Sequence, residues 1–352
     1  MINKSFPHKM LQEIFAQPLL LRALVRKNRN QNLEKLQSAL RIKNIKYFLF
    51  LGCGTSYNAS LFGSYVFEEI LGLQSEIEYA DQFIGRKAVI SEQSAVVAIS
   101  QSGETGDVLR AITKAKQKKA LIIGISNNKN SSLAKVSDFF VDLSAGKEEA
   151  LEATKTYTLE LFTLLNIVLN LSTDDKNNIL EELKNIPKNQ EKILERAEEL
   201  QKIAKKIQDK KSIVILGSKF EYTTALEGAQ KFEEATYILS KGYTGEEFRH
   251  GPKAIIEPGT LLIIIAPRDS VFKRNLKVIN EINKIGGEII IITDKKGALE
   301  IGDLGEKIII PEASELLFPF LSILPLQLLA YYTSVLKGID VDSPRNLEKF
   351  IA

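Results

Sequence analysis

Short apolar runs recur along the chain and alternate with longer stretches that have helical spacing. The runs carry apolar residues on both faces, which is typical of strands in a parallel sheet covered by helices. The predicted strands are 47–51, 95–99, 121–125, 139–143, 212–216, 261–265, 288–293 and 307–310. The longer stretches, such as 56–71 and 107–118, place apolar residues three and four positions apart. This alternation predicts an α/β protein with doubly wound parallel sheets.

The second half of the chain repeats the organisation of the first. Gly52 and Gly217 follow the first strand of each half and are 217 − 52 = 165 positions apart. Ser100 and Ile265, which close the second strands, have the same separation, 265 − 100 = 165. A constant offset between matching strand ends indicates duplication of one α/β unit.

This repeat sets the expected domain boundaries. The residues between the two halves are rich in Lys, Glu and Asn but keep helical apolar spacing, so we interpret them as a helical connector with a solvated charged face. We expect a helical N-terminal segment at 1–45, a first domain at 46–173, the connector at 174–211, a second domain at 212–337 and a C-terminal tail at 338–352.

The composition excludes several classes of protein and site. With 47 Lys and Arg against 44 Asp and Glu, the net charge of +3 is too close to neutral to predict a nucleic-acid partner. Cys53 is the single cysteine and cannot form an intramolecular disulfide, and His8 and His250 are the two histidines. We therefore expect no metal centre and no cofactor.

Two features of the sequence, the start of the chain and the length of its apolar runs, indicate in which cellular compartment the protein is expected. We identify no apolar run that reaches the roughly 18 residues of a membrane span. The first residues lack the apolar region of a secretory signal. Together with the lone cysteine, these features lead us to expect a cytoplasmic protein without a membrane partner.

Two loops rich in glycine and hydroxyl residues follow predicted strands in the first half. Residues 52–56 read Gly-Cys-Gly-Thr-Ser, and residues 100–105 read Ser-Gln-Ser-Gly-Glu-Thr. Each opens a helix at the carboxyl end of a strand, where glycine permits close approach and where hydroxyl and N–H groups suit a phosphate. Helix capping by Ser and Thr is the alternative for either loop alone. Two such loops at successive strand ends favour a phosphate site, and the matching loops at 217–220 and 266–269 lack this composition.

A predicted helix at 225–234 carries three charged residues on one face. Glu227, Lys231 and Glu234 are separated by four and three positions. One interpretation is a surface stripe of salt bridges. The other is a carboxylate held beside a lysine and used for proton transfer, which the position of the helix after a strand favours.

The histidine of the second half lies in a turn. His250 is part of Phe-Arg-His-Gly-Pro, a sequence that predicts a turn rather than a core helix. A neutral imidazole can exchange protons near neutral pH. An inert loop histidine is the alternative for this residue taken alone.

These motifs together resemble the sugar isomerase (SIS) domain family. The chain is similar to the two-domain isomerase portion of glucosamine-6-phosphate synthases and to SIS-type glucosamine-6-phosphate deaminases. The resemblance covers nearly the whole chain and implies two tandem flavodoxin-like SIS domains. It also implies the interconversion of glucosamine-6-phosphate with fructose-6-phosphate and ammonia by aldose–ketose isomerisation. It rests on GCGTSYN at 52–58, SQSGET at 100–105, ALEGAQKFEE at 225–234, FRHGP at 248–252 and DSPRNLEK at 342–349.

The resemblance implies roles for individual residues. Glu234 would move the proton between C1 and C2, with Lys231 and Glu227 supporting the sugar. His250 would assist ring opening and would be supplied by the partner subunit of a homodimer. Lys349 would contact the open-chain carbonyl, with or without a Schiff base. The residues that would hold the sugar phosphate are Gly54, Thr55, Ser56, Ser100, Gln101, Ser102 and Thr105.

The direction of the reaction stays open between two alternatives. The loop sequence Phe-Arg-His is closer to the deaminases, whereas the C-terminal Pro-Arg-Asn-Leu is closer to the synthases. Synthases carry an N-terminal glutaminase domain with a cysteine nucleophile, and this sequence begins Met1-Ile2, so ammonia or a separate glutaminase would supply nitrogen. Sugar-phosphate-sensing SIS regulators are a third class. They carry a DNA-binding helix-turn-helix, which we do not identify here, and they lack the set formed by Glu234, His250 and Lys349.

Overall fold

Two parallel β-sheets of five strands each form the framework of the protein. The computed structural model describes residues 5–27, 33–174 and 176–349. The chain divides into two compact units, one around each sheet. The first-sheet unit contains the described residues within Leu20–Glu148, Lys155–Leu180 and Glu348–Ala352. The second-sheet unit contains those within Met1–Leu19, Glu149–Thr154 and Glu181–Leu347.

The first sheet has the topology of a doubly wound fold. Its strands are β1 (Tyr47–Gly52), β2 (Gln74–Tyr79), β3 (Ser94–Ile99), β4 (Leu121–Ser126) and β5 (Phe139–Asp142). Their order across the sheet is β2-β1-β3-β4-β5. The central strands β3 and β4 are buried along their whole length, as their apolar sequences predict. The strand order reverses between β1 and β3, and such switch points are where open α/β sheets bind ligands.

Helices cover both faces of the first sheet. Among the described residues, the helices up to the end of this unit's last helix are α1 (Lys9–Lys27), α2 (Leu33–Ile42), α3 (Thr55–Leu71), α4 (Ala80–Gly85), α5 (Gly106–Gln117), α6 (Ser132–Val136) and α7 (Lys155–Leu171). On one face, Ile112 of α5 packs in a cluster with Leu51 and Val96 of the sheet. On the other face, α3 packs against α7 and β1.

The second sheet repeats this topology. Its strands are β6 (Ser212–Gly217), β7 (Leu239–Thr244), β8 (Leu261–Ile265), β9 (Glu288–Thr293) and β10 (Glu306–Ile309). Read from the β7 edge, their order is β7-β6-β8-β9-β10, which matches the first sheet strand for strand. The later helices are α8 (Asn177–Glu195), α9 (Ala197–Ile207), α10 (Phe220–Thr236), α11 (Gly245–Arg249), α12 (Phe272–Ile285), α13 (Lys295–Ile301) and α14 (Pro319–Leu336). The fold class predicted from the sequence is therefore confirmed.

The strand registers correct one expected correspondence. β1 and β6 are offset by 165 positions, as are β2 and β7 and the helices α3 and α10. Ala98 of β3 and Ile264 of β8 each lie beside the penultimate residue of β1 or β6, an offset of 264 − 98 = 166. Ser100 therefore matches Ala266, and the expected match with Ile265 is wrong by one residue. The second half has one additional residue between β7 and β8.

A buried hydrogen bond between a hydroxyl and a carboxyl recurs in both units. In the first-sheet unit, Ser56 Oγ on α3 donates to Glu160 Oε1 on α7 at 2.7 Å. In the second-sheet unit, Ser322 Oγ on α14 donates to Glu221 Oε2 on α10 at 2.6 Å. Ser56 and Glu221 are 221 − 56 = 165 positions apart and occupy matching places. The position on α3 that carries the hydroxyl therefore carries the carboxyl on α10, whereas the partners Glu160 and Ser322 are 322 − 160 = 162 positions apart and do not share this offset.

Helix α14 is a core helix of the second-sheet unit. Its 18 residues are long and apolar enough to cross a membrane, but 83% of that window is buried inside the protein. The expectation that no apolar stretch reaches about 18 residues is therefore wrong. Ser, Thr, Gln and Tyr interrupt the apolar run yet leave the mean hydropathy high. The helix packs against α10, which is the burial expected of a core helix.

Candidate active site

The first loop joins β1 to α3 in a tight turn. Gly54 has φ 53° and ψ −128°, a conformation that favours glycine. A Cβ on Gly52 would lie 2.7 Å from the carbonyl group of Ser56. The two glycines therefore allow β1 to lead directly into the helix. Thr55 and Ser56 are both buried, and the Ser56 hydroxyl is directed to Glu160 rather than into the loop.

The second loop forms a cluster of hydroxyl groups between β3 and α5. Ser100 Oγ lies 2.8 Å from Thr105 Oγ1 and 3.5 Å from Ser102 Oγ. The N–H of Gly103 donates to Ser100 Oγ at 3.0 Å. Ser100 is buried, whereas Gln101, Ser102 and Thr105 are half-buried. The structure therefore brings together most of the hydroxyl groups that the sequence assigned to phosphate binding.

Gly103 fixes the shape of this loop. It has φ 70°, and a Cβ at this position would lie 2.2 Å from Ser131 Oγ. Glu104 Oε1 accepts the N–H of Ser132 at 2.8 Å, and this hydrogen bond holds the pKa of the Glu104 carboxyl below its usual value. The loop is thus held in one conformation, which reduces the ordering cost of binding a ligand.

The two loops lie at one edge of the first sheet because β1 and β3 are paired neighbours. Within the described part of the chain, the N-cap residue of α3 is Gly54, which has no side chain, and the side chain of Thr105, the N-cap residue of α5, accepts no hydrogen bond from the N–H groups of its helix. Helix capping by the N-cap side chains was the alternative explanation of these motifs. The structure does not support it. Hydroxyl groups beside two helix N-termini are suited to an anion such as phosphate.

Helix α10 carries the charged face that the sequence predicts, and this face is buried. The side chains of Lys231 and Glu227 are 0% exposed, and that of Glu234 is 20% exposed. Lys231 Nζ lies 3.5 Å from Glu227 Oε1 and donates a hydrogen bond to Glu234 Oε2. Gln230 Nε2 donates to the other oxygen of Glu234 at 2.7 Å. The interpretation of these residues as a surface stripe of salt bridges is wrong.

Lys231 is held as a cation by its neighbours. Burial alone would lower the pKa of Lys231, but the carboxylates of Glu234 and Glu227 outweigh burial and raise that pKa above its ordinary value. A buried lysine with two carboxylates costs desolvation energy that a purely structural core would avoid. Such a cluster is a candidate for proton-transfer chemistry.

The carboxylate beside Glu234 in sequence has a different environment. Glu233 is exposed, and its Oε1 accepts the N–H of Ser240 from the edge strand β7 at 3.2 Å. It is turned away from Lys231 because residues two positions apart on a helix differ by about 200°. Glu234 is therefore the better candidate for the general base.

His250 lies on an anchored loop with its ring exposed. Phe248 is fully buried in the core of the second-sheet unit. Arg249 binds the carboxylates of Glu246 and Glu281 at 2.6 and 2.7 Å. His250 follows at the end of α11 and is exposed. Among the described residues its imidazole has no hydrogen-bond partner, so the structure does not join it to the Lys231 cluster.

Lys349 of the C-terminal tail is paired within the first-sheet unit. Its Nζ lies 3.3 Å from Glu148 Oε2, and Glu148 Oε1 accepts the N–H of Thr156 at 3.3 Å. The Glu148 side chain is 0% exposed and that of Lys349 is 24% exposed. The predicted lysine therefore contacts a buried carboxylate that the sequence did not single out.

The burial of two more carboxyl groups, those of Glu152 and Glu221, was not predicted from the sequence. Burial raises the pKa of Glu152 to about 7 and that of Glu221 to about 8. The only signal for them is an acidic residue between apolar or small residues, in Ala-Leu-Glu-Ala at 150–153 and Lys-Phe-Glu-Tyr at 219–222. Such short patterns do not distinguish a buried acid from an exposed one.

Comparison with known proteins gives the family. The SIS domain model matches residues 41–169 and 206–337. Glutamine–fructose-6-phosphate aminotransferase (isomerizing) from Aquifex aeolicus is 36% identical over 99% of this chain and 58% of that protein. The protein of the same name from Chlorobaculum tepidum is also 36% identical, with the same coverage of both chains. The chain thus spans somewhat more than half the length of these relatives.

Solved structures agree with this assignment. The C-terminal domain of glucosamine-fructose-6-phosphate aminotransferase from Francisella tularensis matches with a TM-score of 0.91 and 29% identity, over 97% of this chain and 99% of that one. Glucosamine-6-phosphate deaminase from Thermotoga maritima matches with a TM-score of 0.79 and 27% identity, over the same shares. The resemblance noted in the motifs is confirmed, and the chain belongs to the SIS domain family, with two tandem SIS domains of the kind found in phosphosugar enzymes.

Proposed function

We propose that the protein is an amino-sugar phosphate isomerase that converts glucosamine-6-phosphate and water to fructose-6-phosphate and ammonia, or the reverse. The observation that carries this proposal is the buried cluster of Glu227, Lys231 and Glu234 on α10. An aldose–ketose shift moves one proton between C2 and C1 through an enediol-type intermediate. It needs a carboxylate that reaches both carbons and a cation that balances the charge.

Glu234 is the general base in this proposal. It is the one carboxylate of the cluster with part of its side chain exposed, so a substrate can reach it while Lys231 and Glu227 stay buried. Gln230 and Lys231 bind one carboxylate oxygen each and hold the group in a fixed orientation. Glu234 takes the C2 proton of the open-chain amino sugar and returns it to C1. Water then adds at C2 and ammonia leaves.

The remaining predicted residues have supporting roles. The hydroxyl loops of the first-sheet unit bind the phosphate, with Ser100, Ser102 and Thr105 as donors. Lys349, oriented by Glu148, polarises the open-chain carbonyl. His250 assists ring opening from the partner subunit of a homodimer. We place the reaction in the cytoplasm, as expected from the lone cysteine.

Synthesis is the second candidate function, and the curated relatives support it. They are named aminotransferases and are 36% identical to this chain. In that direction the same residues would convert fructose-6-phosphate and ammonia to glucosamine-6-phosphate. The ammonia would be free or would come from a separate glutaminase. The chemistry of Glu234 is identical in both directions because each step is reversible.

The test is a turnover assay in both directions. The protein is incubated with glucosamine-6-phosphate, and fructose-6-phosphate and ammonia are measured. The reverse assay supplies fructose-6-phosphate with ammonia or with glutamine. Absence of turnover in both assays, with folded protein, would refute the proposal.

A matched pair of variants tests the choice of base. Glu234→Gln keeps the shape of the side chain and removes its basicity, so turnover should fall by about 10²–10⁴-fold while sugar-phosphate binding survives. Glu233→Gln is the control and should retain near-normal turnover. A collapse confined to Glu233→Gln would show that the wrong carboxylate has been chosen.

A further inference from the structure

Glu152 is a buried carboxyl group that is not one of the proposed catalytic residues but interacts electrostatically with the proposed general base, Glu234. Glu152 lies in the segment 149–154 of the second-sheet unit and is 1% exposed. Both of its oxygens are enclosed, and neither has a hydrogen bond to another residue within the described part of the chain. A buried carboxyl group without such partners is costly to ionise. A carboxyl group in such a place calls for a role.

The segment that carries Glu152 is held at both ends. At its start, the N–H of Glu149 donates to Glu13 Oε1 at 2.6 Å. At its end, Gln327 Nε2 on α14 donates to the carbonyl oxygen of Thr154 at 3.2 Å. These two contacts keep the backbone in place, so the carboxyl group of Glu152 does not simply turn out into water.

The charges that act most strongly on Glu152 include one lysine and two carboxylates. Lys231 and Glu234 act on it from α10, and Asp342 acts on it from the segment after α14. Lys231 is already shared between Glu234 and Glu227. Because Lys231 already balances the charges of Glu227 and Glu234, it cannot also balance a negative charge on Glu152.

This environment favours the neutral form of Glu152. Burial raises its pKa to about 7, and Glu234 and Asp342 add to the rise. Its own backbone N–H and the charge of Lys231 oppose the rise without cancelling it. A proton on Glu152 therefore exchanges with solvent close to neutral pH.

We propose that Glu152 is a positioning residue whose neutral form leaves Lys231 to Glu227 and Glu234, and whose ionisation slows the proton transfer at Glu234. The proposal rests on the proposed isomerase function. Ionised Glu152 competes for Lys231 and adds negative charge beside the place where the enediol-type intermediate becomes negative. The proton that Glu152 releases passes to the solvent. Charge fixed near a reacting centre acts strongly where water is excluded.

The variant that tests this idea is Glu152→Gln, which imitates the neutral acid at every pH. In the unmodified protein, kcat should fall about tenfold per pH unit above neutrality. The fall should be absent in Glu152→Gln, with kcat below neutrality unchanged. Glu152→Asp retains a titrating acid and should retain a fall. Glu149→Gln is the matched control, since that carboxylate pairs with Lys9 at the surface, and its profile should equal that of the unmodified protein.

A second measurement separates this proposal from the proposed function. The infrared carbonyl band of a protonated carboxylic acid is followed against pH without substrate. The band should contain a component that disappears across neutral pH in the unmodified protein and is missing in Glu152→Gln, whose remaining band comes from other buried acids such as Glu221. If the infrared bands of the two proteins differ in this way but no turnover is found, the isomerase function is refuted and the protonation of Glu152 is supported. If turnover is found but Glu152→Gln keeps the alkaline fall, or the bands of the unmodified protein and of Glu152→Gln do not differ, the proposal for Glu152 is overturned.

Discussion

Glu221 offers a sharp test of how the second-sheet unit is stabilised. Its carboxyl group is buried in the first turn of α10 and accepts a hydrogen bond from Ser322 at 2.6 Å. Burial is the main cause of its raised pKa, and Asp269 adds to it. The hydrogen bond from Ser322 opposes the rise but is too weak to cancel it. Glu221→Gln removes the titration while keeping the size of the side chain and an oxygen for Ser322.

The expected effect follows from the pKa values of the two states. The carboxyl has an ordinary pKa of 4.5 and a folded value of about 8. The folded protein therefore keeps a proton that the unfolded chain releases. The stabilisation from that proton is complete below the ordinary pKa and is lost as the pH rises through the folded value. Each pH unit between the two is worth about 1.4 kcal/mol, so the unmodified protein should lose about 3 kcal/mol between about pH 5 and about pH 7.5 from this group alone.

The assay is denaturant unfolding of both proteins across that pH range. Glu221→Gln should have a free energy of unfolding similar to that of the unmodified protein at the acid end. It should be more stable by about 3 kcal/mol at the neutral end. Glu233→Gln, on the exposed side of the same helix, serves as the control and should leave the pH dependence unchanged. A stability difference between Glu221→Gln and the unmodified protein that is constant with pH would refute the reasoning, because it would mean that Glu221 is ionised in the folded state.

Three further predictions concern binding and assembly. Ser102→Ala should weaken sugar-phosphate binding by about 1–2 kcal/mol in calorimetry, the loss expected for one hydrogen bond to a charged group; unchanged affinity would remove Ser102 from the phosphate site. Lys349→Met should lower turnover at least tenfold while phosphate affinity stays within about twofold, as expected of a group that acts on the carbonyl; an equal loss in both would assign Lys349 to binding. Mixing and refolding His250→Asn with Glu234→Gln, each inactive alone, should restore part of the turnover if His250 acts across a homodimer; a fully active monomer in sedimentation would contradict this.

Most of the fold could be predicted because central strands are apolar on both faces. The run Ala95–Ile99 is an uninterrupted apolar sequence, and it lies inside β3. The strands β2 and β7 were missed because each lies at a sheet edge and includes exposed polar residues, as in Gln-Ser-Glu-Ile-Glu-Tyr. Half-exposed edge strands lack the continuous apolar signal.

The candidate site was predicted in part for a similar reason. Helical spacing placed Glu227, Lys231 and Glu234 on one face, and the structure agrees. Their burial could not be predicted, since it depends on α14, almost a hundred residues further along the chain. The roles of Glu148 and Glu152 escaped detection because short irregular segments carry no periodicity, and their environments are set by residues distant in sequence.

The exchanged Ser–Glu bond has a consequence for how this gene can evolve. After duplication both copies held the same residue at the position of Ser56 and Glu221, so at least one copy has been substituted there, and each residue now has a partner of the opposite kind. A recombinant with Glu in place of Ser56 would bring two buried carboxyl groups together, because the partner on α7 is Glu160. A recombinant with Ser in place of Glu221 would leave a gap beside Ser322. The helices α3 and α10 are therefore no longer interchangeable parts, even though their lengths and offsets still match. Unequal crossing-over between the repeats would be penalised at this one pair, which keeps the two copies on separate evolutionary paths.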